Sequence, residues 1–226
     1  MNPLLLLHGA LGAQAQLDQL LAACHKGGRQ VLSMNFSGHG GRPFSSEGFG
    51  IEVFSNDVLQ FMNERGIARA DIFGYSMGGY VALWLAYQQP ERIGNVVTLG
   101  TKFDWDPASA SMEVRKMNPE KILEKVPAFA RILQHRHQPN DWKDLMAKTA
   151  SMMRSLGESP LLGEVHFKQI KQRVHVLLGD ADDMADRAFS KQVTNWLPNG
   201  RFNLLLQTPH PIEKVSVEEL TKHLLG

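Results

Sequence analysis

The sequence predicts an α/β domain in which six parallel strands form one sheet with helices on both faces, and three observations lead there. Short apolar runs alternate regularly with segments of helical period, the pattern of successive βα units. The 226 residues, 43% of them apolar, suffice for one large domain with a filled core. The alternation breaks in one place, between residues 103 and 170, where helix signals follow one another without an intervening strand.

The first apolar run, residues 3–7, reads as a strand, and Leu17, Leu20, Leu21 and Cys24 then mark a helix packed on the core. Residues 30–36 form the second strand. Phe54, Val58, Phe61 and Arg65 mark a surface helix closed by Gly66. The third strand, residues 71–74, leads into residues 77–88, which are apolar nearly all round and stop before Pro90, as a helix buried at the centre of a domain does. Residues 95–99 are the fourth strand. In the interruption that follows, Asn118-Pro119 and Asn140-Asp141 read as helix starts, and Trp142, Leu145, Met146, Thr149, Met152, Met153 and Leu156 form one stripe at helical spacing. Residues 103–170 are therefore expected to be a helical cap inserted into a core of residues 1–102 and 171–226. Strands five and six are residues 174–178 and 202–206. Between them Phe189, Val193, Trp196 and Leu197 mark a surface helix closed by Pro198 and Gly200, and Ser216 and Glu219 have capping-box spacing at the start of the last helix.

Charge and cysteine content narrow the function classes. Lys and Arg number 24 against 23 Asp and Glu, a formal charge of +1 with no long block of one sign, so no nucleic-acid partner is expected and a small molecule is. Cys24 is the single cysteine, cannot form an internal disulfide, and fits a reducing compartment. The run Leu4–Leu7 lacks the basic flank of a signal peptide and is shorter than its roughly 7 to 15 apolar residues, and no stretch approaches the roughly 18 of a membrane span. The expectation is a cytoplasmic protein without a membrane partner. His135 and His137 are separated by one residue in a polar segment with no cysteine or carboxylate at ligand spacing, so they read as surface residues, and no metal or other cofactor is expected.

The segment Gly74-Tyr75-Ser76-Met77-Gly78-Gly79 follows an apolar strand and opens the buried helix, which is the context a GxSxG nucleophile elbow requires. Such a turn is tight, so the positions two before and two after the serine must be small, as Gly74 and Gly78 are. Neither GxGxxG nor a Walker lysine is present. Together with Leu6-Leu7-His8-Gly9-Ala10-Leu11-Gly12, Gly38-His39-Gly40, Leu178-Gly179-Asp180-Ala181-Asp182-Asp183 and Thr208-Pro209-His210-Pro211, the elbow resembles the α/β-hydrolase superfamily over the whole chain outside the insertion.

The resemblance implies an α/β-hydrolase fold and a triad in the chain order Ser, Asp, His. Among Asp180, Asp182, Asp183 and Asp186, the superfamily pattern of strand, Gly, two residues, Asp selects Asp182. Of the nine histidines, His210 alone follows the last strand and precedes the last helix, which makes it the base of Ser76. His8 and His39 belong to loop motifs that look structural in similar proteins. The Met77 N–H forms one half of an oxyanion hole, and the resemblance gives the other to Ala10. Leu11, Phe103, Trp105, Trp142, Met146 and Met153 are the candidates for an apolar substrate wall, and equally for a core of the cap itself.

The reaction expected is hydrolysis of a carboxylic ester with an apolar part, through an acyl-enzyme on Ser76. Thioesters, lactones and carbon-carbon bonds next to a ketone are related substrates of the same triad. A lyase similar to the menaquinone-pathway synthase is the alternative, but that group carries an arginine directly after the elbow glycines where Tyr80 stands here. A ligand receptor with little turnover is the third class. Similar proteins place two strands, often a hairpin, ahead of the strand that ends in His-Gly, and here that strand begins about two residues from Met1. The expectation is therefore a six-stranded, all-parallel sheet with residues 30–36 at one edge, an edge either protected by loops or paired with a second copy in a homodimer.

Overall fold

Four consecutive leucines can form a strand only where both faces are covered, because successive side chains point to opposite sides of the sheet. In the computed structural model, which describes residues 2–225, Leu4–Leu7 are strand β1 and all four are buried. Leu4 and Leu6 pack with Leu17, Leu20, Cys24 and Leu220 on one face, while Leu5 and Leu7 pack with Phe54, Val58, Val81 and Leu85 on the other. Each such leucine contributes roughly 1.5 to 3 kcal/mol by burial.

After β1 follow α1 (Asp18–Lys26), β2 (Val31–Met34), α2 (Ile51–Glu64), β3 (Ala70–Tyr75), α3 (Met77–Gln88) and β4 (Ile93–Leu99). Five helices without a strand come next: α4 (Pro107–Lys116), α5 (Pro119–Lys125), α6 (Pro127–His137), α7 (Trp142–Glu158) and α8 (Glu164–Phe167). The chain returns through β5 (Val174–Ala181), α9 (Arg187–Trp196), β6 (Gly200–Pro209) and α10 (Val217–Leu225). The sheet has six strands in the order β2-β1-β3-β4-β5-β6, every pair parallel, with β2 at an edge. Among the described residues no helix is long and apolar enough to cross a membrane.

Strand ends differ from the sequence expectation by one to three residues, most tellingly at β2 and β6. The apolar run 30–36 continues past β2, but the chain leaves the sheet after Met34, where the Asn35 side chain accepts from Gln14 N (2.7 Å) and donates to Gly40 O (3.2 Å). In the other direction β6 runs on through Thr208 and Pro209. A register irregularity after Gly179 lets Ala181 pair with Pro209, so the ends of β5 and β6 travel together beyond the rest of the sheet.

The helix starts follow their caps. Asn118 accepts from Lys121 N (2.8 Å), Asp141 from Lys143 N (2.9 Å) and Ser216 from Glu219 N (3.2 Å). Asn140 caps nothing; its amide donates to Gly38 O (3.2 Å) and Arg42 O (2.7 Å) and so ties the insertion to the loop after β2. The residues that follow β1, β3, β4, β5 and β6 all emerge at the carboxyl ends of the strands, the edge at which open α/β sheets form their sites.

Candidate active site

Ser76 stands alone between the end of β3 and the start of α3, with φ 52° and ψ −117°. A non-glycine residue held there costs about 1 to 3 kcal/mol and persists only where the surroundings enforce it. Here Ser76 N donates to Leu99 O (2.8 Å) and the Thr101 hydroxyl donates to Ser76 O (3.0 Å), so β4 and the segment after it grip the turn from both sides. Strand and helix approach so closely that a Cβ on Gly74 would lie 2.4 Å from Gly79 N, and one on Gly78 2.6 Å from Leu7 O. Both contacts are with backbone, which cannot give way.

The extended β5–β6 pair delivers Asp182 and His210 side by side, with His210 Nδ1 2.8 Å from Asp182 Oδ2. The other oxygen, Oδ1, accepts from Met184 N (2.9 Å) and Ala185 N (3.0 Å). Burial pushes the Asp182 carboxyl up, but the bond to His210, the charge of that ring and the two amides outweigh it and hold the group below the ordinary aspartate value. The neighbouring aspartates do other work. Asp186 caps α9 through Phe189 N (2.6 Å), Asp180 accepts from Thr208 N (3.1 Å) and Asp183 is exposed. The Tyr75 hydroxyl donates to His210 O (3.1 Å), linking the residue before the serine to the loop that carries the imidazole. Among the described residues Ser76 Oγ makes no hydrogen bond to His210; such bonds are often long without a substrate and tighten when one binds.

Gly100, at φ 59°, is a site residue that carries no sequence motif. A Cβ here would lie 2.9 Å from Asp182 Oδ2 and 3.2 Å from His210 Nδ1. Gly100→Ala is expected to lower turnover at least tenfold by displacing the carboxylate–imidazole pair, and to cost about 1 kcal/mol through its positive φ. Ester kinetics alongside urea denaturation check this, and a variant with wild-type kcat would contradict it.

The loop after β1 presents its backbone in a fixed way. His8 Nε2 accepts from Phe36 N (3.2 Å), so the ring proton sits on Nδ1 and is donated to Gly9 O (2.8 Å), which also accepts from Gly12 N (3.1 Å). Carbonyl and N–H of one trans peptide point in opposite directions, so tying down Gly9 O aims the Ala10 N–H the other way. Among the described residues no backbone bond of this loop uses that N–H, and Met77, first residue of α3, has no intrahelical acceptor either. Ala10, Ser76 and Met77 line one cavity.

A family described as alpha/beta hydrolase fold matches residues 2–173. The chain belongs to the α/β-hydrolase fold family. The matched stretch holds Ser76 and ends before Asp182 and His210. An sn-1-specific diacylglycerol lipase of Xenopus laevis is 32% identical over 98 residues, 43% of this chain and 31% of the relative. A bifunctional epoxide hydrolase 2 of Sus scrofa is 31% identical over 102 residues, 44% of this chain and 18% of the relative. These matches thus span about a third or less of the curated relatives. Among solved structures, NosK from Streptomyces actuosus superposes with a TM-score of 0.84 at 19% identity, covering 99% of this chain and 96% of that one.

In this member of the fold family the cavity over Ser76 is walled by Ile51, Trp105, Met152, Met153, Leu156 and Met184, with Tyr80 and Lys102. Of the residues the sequence offers either for a substrate wall or for a core of the cap, Trp105 and Met153 line this cavity. Leu11, Trp142 and Met146 take the other place: they pack with Ala130, Leu133 and Leu145 in a separate core that joins the insertion to the loop after β1. Phe103 belongs to the main core, edge-to-face with Phe167 at 5.7 Å. Helical periodicity correctly marks these residues as buried, but the partner in burial is set by tertiary packing. Tyr80 is held by burial at a hydroxyl pKa of about 12 and accepts a hydrogen bond from Leu162 N (3.0 Å).

The histidines divide between surface and interior. His135 is exposed as expected, whereas His137 is fully buried, a correction to its reading as a surface residue. It accepts from Gly40 N (3.1 Å) and donates through Nε2 to Leu11 O (3.0 Å), which also takes a bond from Arg136 Nη1 (2.9 Å). Its spacing from His135 turns it to the inner face of α6, a signal that the polar composition of the segment obscures. His39 faces Ser37 O (3.1 Å) and stacks on Phe49, in a loop fixed by Asp57, which accepts from Ser37 N (2.8 Å), Ser37 Oγ (2.7 Å) and Arg42 (2.7 Å).

Burial lowers both His8 and His137 from 6.5 to about 4. Because the folded values lie below the unfolded one, the unfolded chain binds more protons between pH 6.5 and 4. Stability is therefore complete above pH 6.5 and declines as pH falls, by up to about 1.4 kcal/mol per histidine per pH unit. Urea midpoints at pH 7.5 and 5.5 should show a clear drop at the lower pH, and equal midpoints would contradict the buried neutral assignment.

Proposed function

We propose that this α/β hydrolase cleaves carboxylic esters by acyl transfer through Ser76, with His210 as base and Asp182 orienting it. One observation carries the reading: a 2.8 Å bond joins Asp182 to His210, and a Cβ on Gly100, next to the Leu99 carbonyl that holds Ser76 N, would run into both partners. His210 takes the proton of the Ser76 hydroxyl as its oxygen attacks the ester carbonyl. The tetrahedral oxyanion is received by the N–H groups of Ala10 and Met77, which lower the barrier by several kcal/mol. His210 then protonates the leaving alcohol, and water, deprotonated by the same ring, releases the acid from the acyl-enzyme. Asp182, charged at neutral pH, stabilises the imidazolium at each step.

The wall of Trp105 and flexible methionines suits the apolar part of a small-molecule substrate, and the lipase among the relatives supports an ester as its reactive group. The cavity measures about 30 Å³, so an acyl chain enters by repacking Met152, Met153 and Met184. A series of p-nitrophenyl esters of rising chain length tests the reading. Saturable turnover with short to medium chains is expected, and no turnover with any member would overturn it.

A further inference from the structure

Besides Ser76, two polar side chains line the cavity: Tyr80, whose hydroxyl already accepts from Leu162 N, and Lys102, a residue that neither the elbow nor the triad needs. Its side chain is only 6% exposed. A buried ammonium has three N–H donors to satisfy. Lys102 Nζ has one protein acceptor among the described residues, Asp104 Oδ2 at 2.8 Å, and it lies 5.5 Å from the centre of the Trp105 ring. Enclosed donors without acceptors are costly, and they recur where a ligand supplies the missing partner. The position of Lys102 is also fixed relative to the chemistry. Two residues earlier Gly100 leaves no room for a Cβ beside Asp182 and His210, and one residue earlier the Thr101 hydroxyl bonds the Ser76 carbonyl.

We propose that Lys102 is a specificity-determining residue that binds an acceptor oxygen on the substrate, away from the scissile ester, so that the preferred substrates are short esters bearing a second oxygen function. This rests on the Ser76 reading above. Before substrate binds, Asp104, 27% exposed, compensates the ammonium, and the remaining donors are met when a substrate carbonyl or carboxylate arrives. The apolar wall excludes water from this contact, so an ester without such an oxygen leaves the donors unmet and is discriminated against.

The test compares kcat/KM for p-nitrophenyl pentanoate, p-nitrophenyl 4-oxopentanoate and p-nitrophenyl hemisuccinate in wild type, Lys102→Met and Lys102→Arg. The quantity read is the ratio of each oxygen-bearing ester to the pentanoate, in which intrinsic ester reactivities cancel between variants. Lys102→Met should lower that ratio by on the order of tenfold or more, and Lys102→Arg should keep most of it. A fall with both oxygen-bearing esters means any acceptor is read, and a fall with the hemisuccinate alone means a carboxylate. A ratio in Lys102→Met within twofold of wild type, including a parallel loss on all three esters, would overturn the proposal. If Lys102→Met does not fold, the Arg variant decides against Lys102→Gln by the same ratio. Wild type turning over none of the three would remove the ester reading and this assignment with it, whereas turnover with an unchanged ratio removes this assignment only.

Discussion

Alanine at position 76 is expected to reduce ester turnover by on the order of 10⁶-fold while leaving the fold intact. The reasoning is specific to this turn. Ser76 Oγ makes no hydrogen bond among the described residues, so its removal leaves no buried partner unpaired. The strain at φ 52° is borne by the backbone grip of Leu99 and Thr101, and alanine meets the same strain as serine. Stability should thus change by less than about 1 kcal/mol. Because the triad acts as a unit, the double variant with His210→Ala should be no slower than either single variant. Activity of Ser76→Ala within tenfold of wild type would remove the nucleophile assignment.

The second large effect belongs to Asp182→Asn, expected to lower turnover by about 10⁴-fold, and the hydrogen bonds around the carboxylate show why. Oδ1 accepts from two backbone amides, Met184 N and Ala185 N, and these require an oxygen. An asparagine must therefore keep its carbonyl there and turn its NH₂ toward His210 Nδ1. That nitrogen then becomes an acceptor, the ring proton moves to Nε2, and the ring can no longer take the serine proton. Asp183→Asn, on an exposed side chain, should be near neutral, and Asp186→Asn should cost at most about 1 kcal/mol of stability at the α9 cap. Steady-state kinetics of the three variants decide the assignment, and an Asp183 or Asp186 variant slower than the Asp182 variant would move the acid.

Much of this architecture is readable from the residues alone. Leu4–Leu7 has to be a strand covered on both faces, and the glycines of the elbow are demanded by contacts of 2.4 and 2.6 Å that no side chain survives. Asp182 and His210 follow from chain order and loop pattern, and the structure joins them. Other features escape the sequence because they depend on what lies across a space. Leu11, Trp142 and Met146 carry the same periodic signal as Met153, yet they meet each other instead of Ser76. Gly100 belongs to no motif, because its reason for being glycine is a carboxylate 82 positions later in the chain. His137 hides in a polar helix, and Lys102 looks like any surface lysine until the cavity encloses it.

The central claim is that Ser76 is an activated nucleophile, and covalent labelling reads it without knowledge of the substrate. A fluorophosphonate reacts with a serine whose proton has a base to receive it, forming a stable phosphonyl ester with loss of fluoride. Wild type should gain one adduct by intact mass, mapped by peptide sequencing to Ser76. Labelling should be absent in Ser76→Ala and strongly slowed in His210→Ala and Asp182→Asn. A folded wild type that stays unlabelled, or an adduct mapped to another residue, would contradict the account.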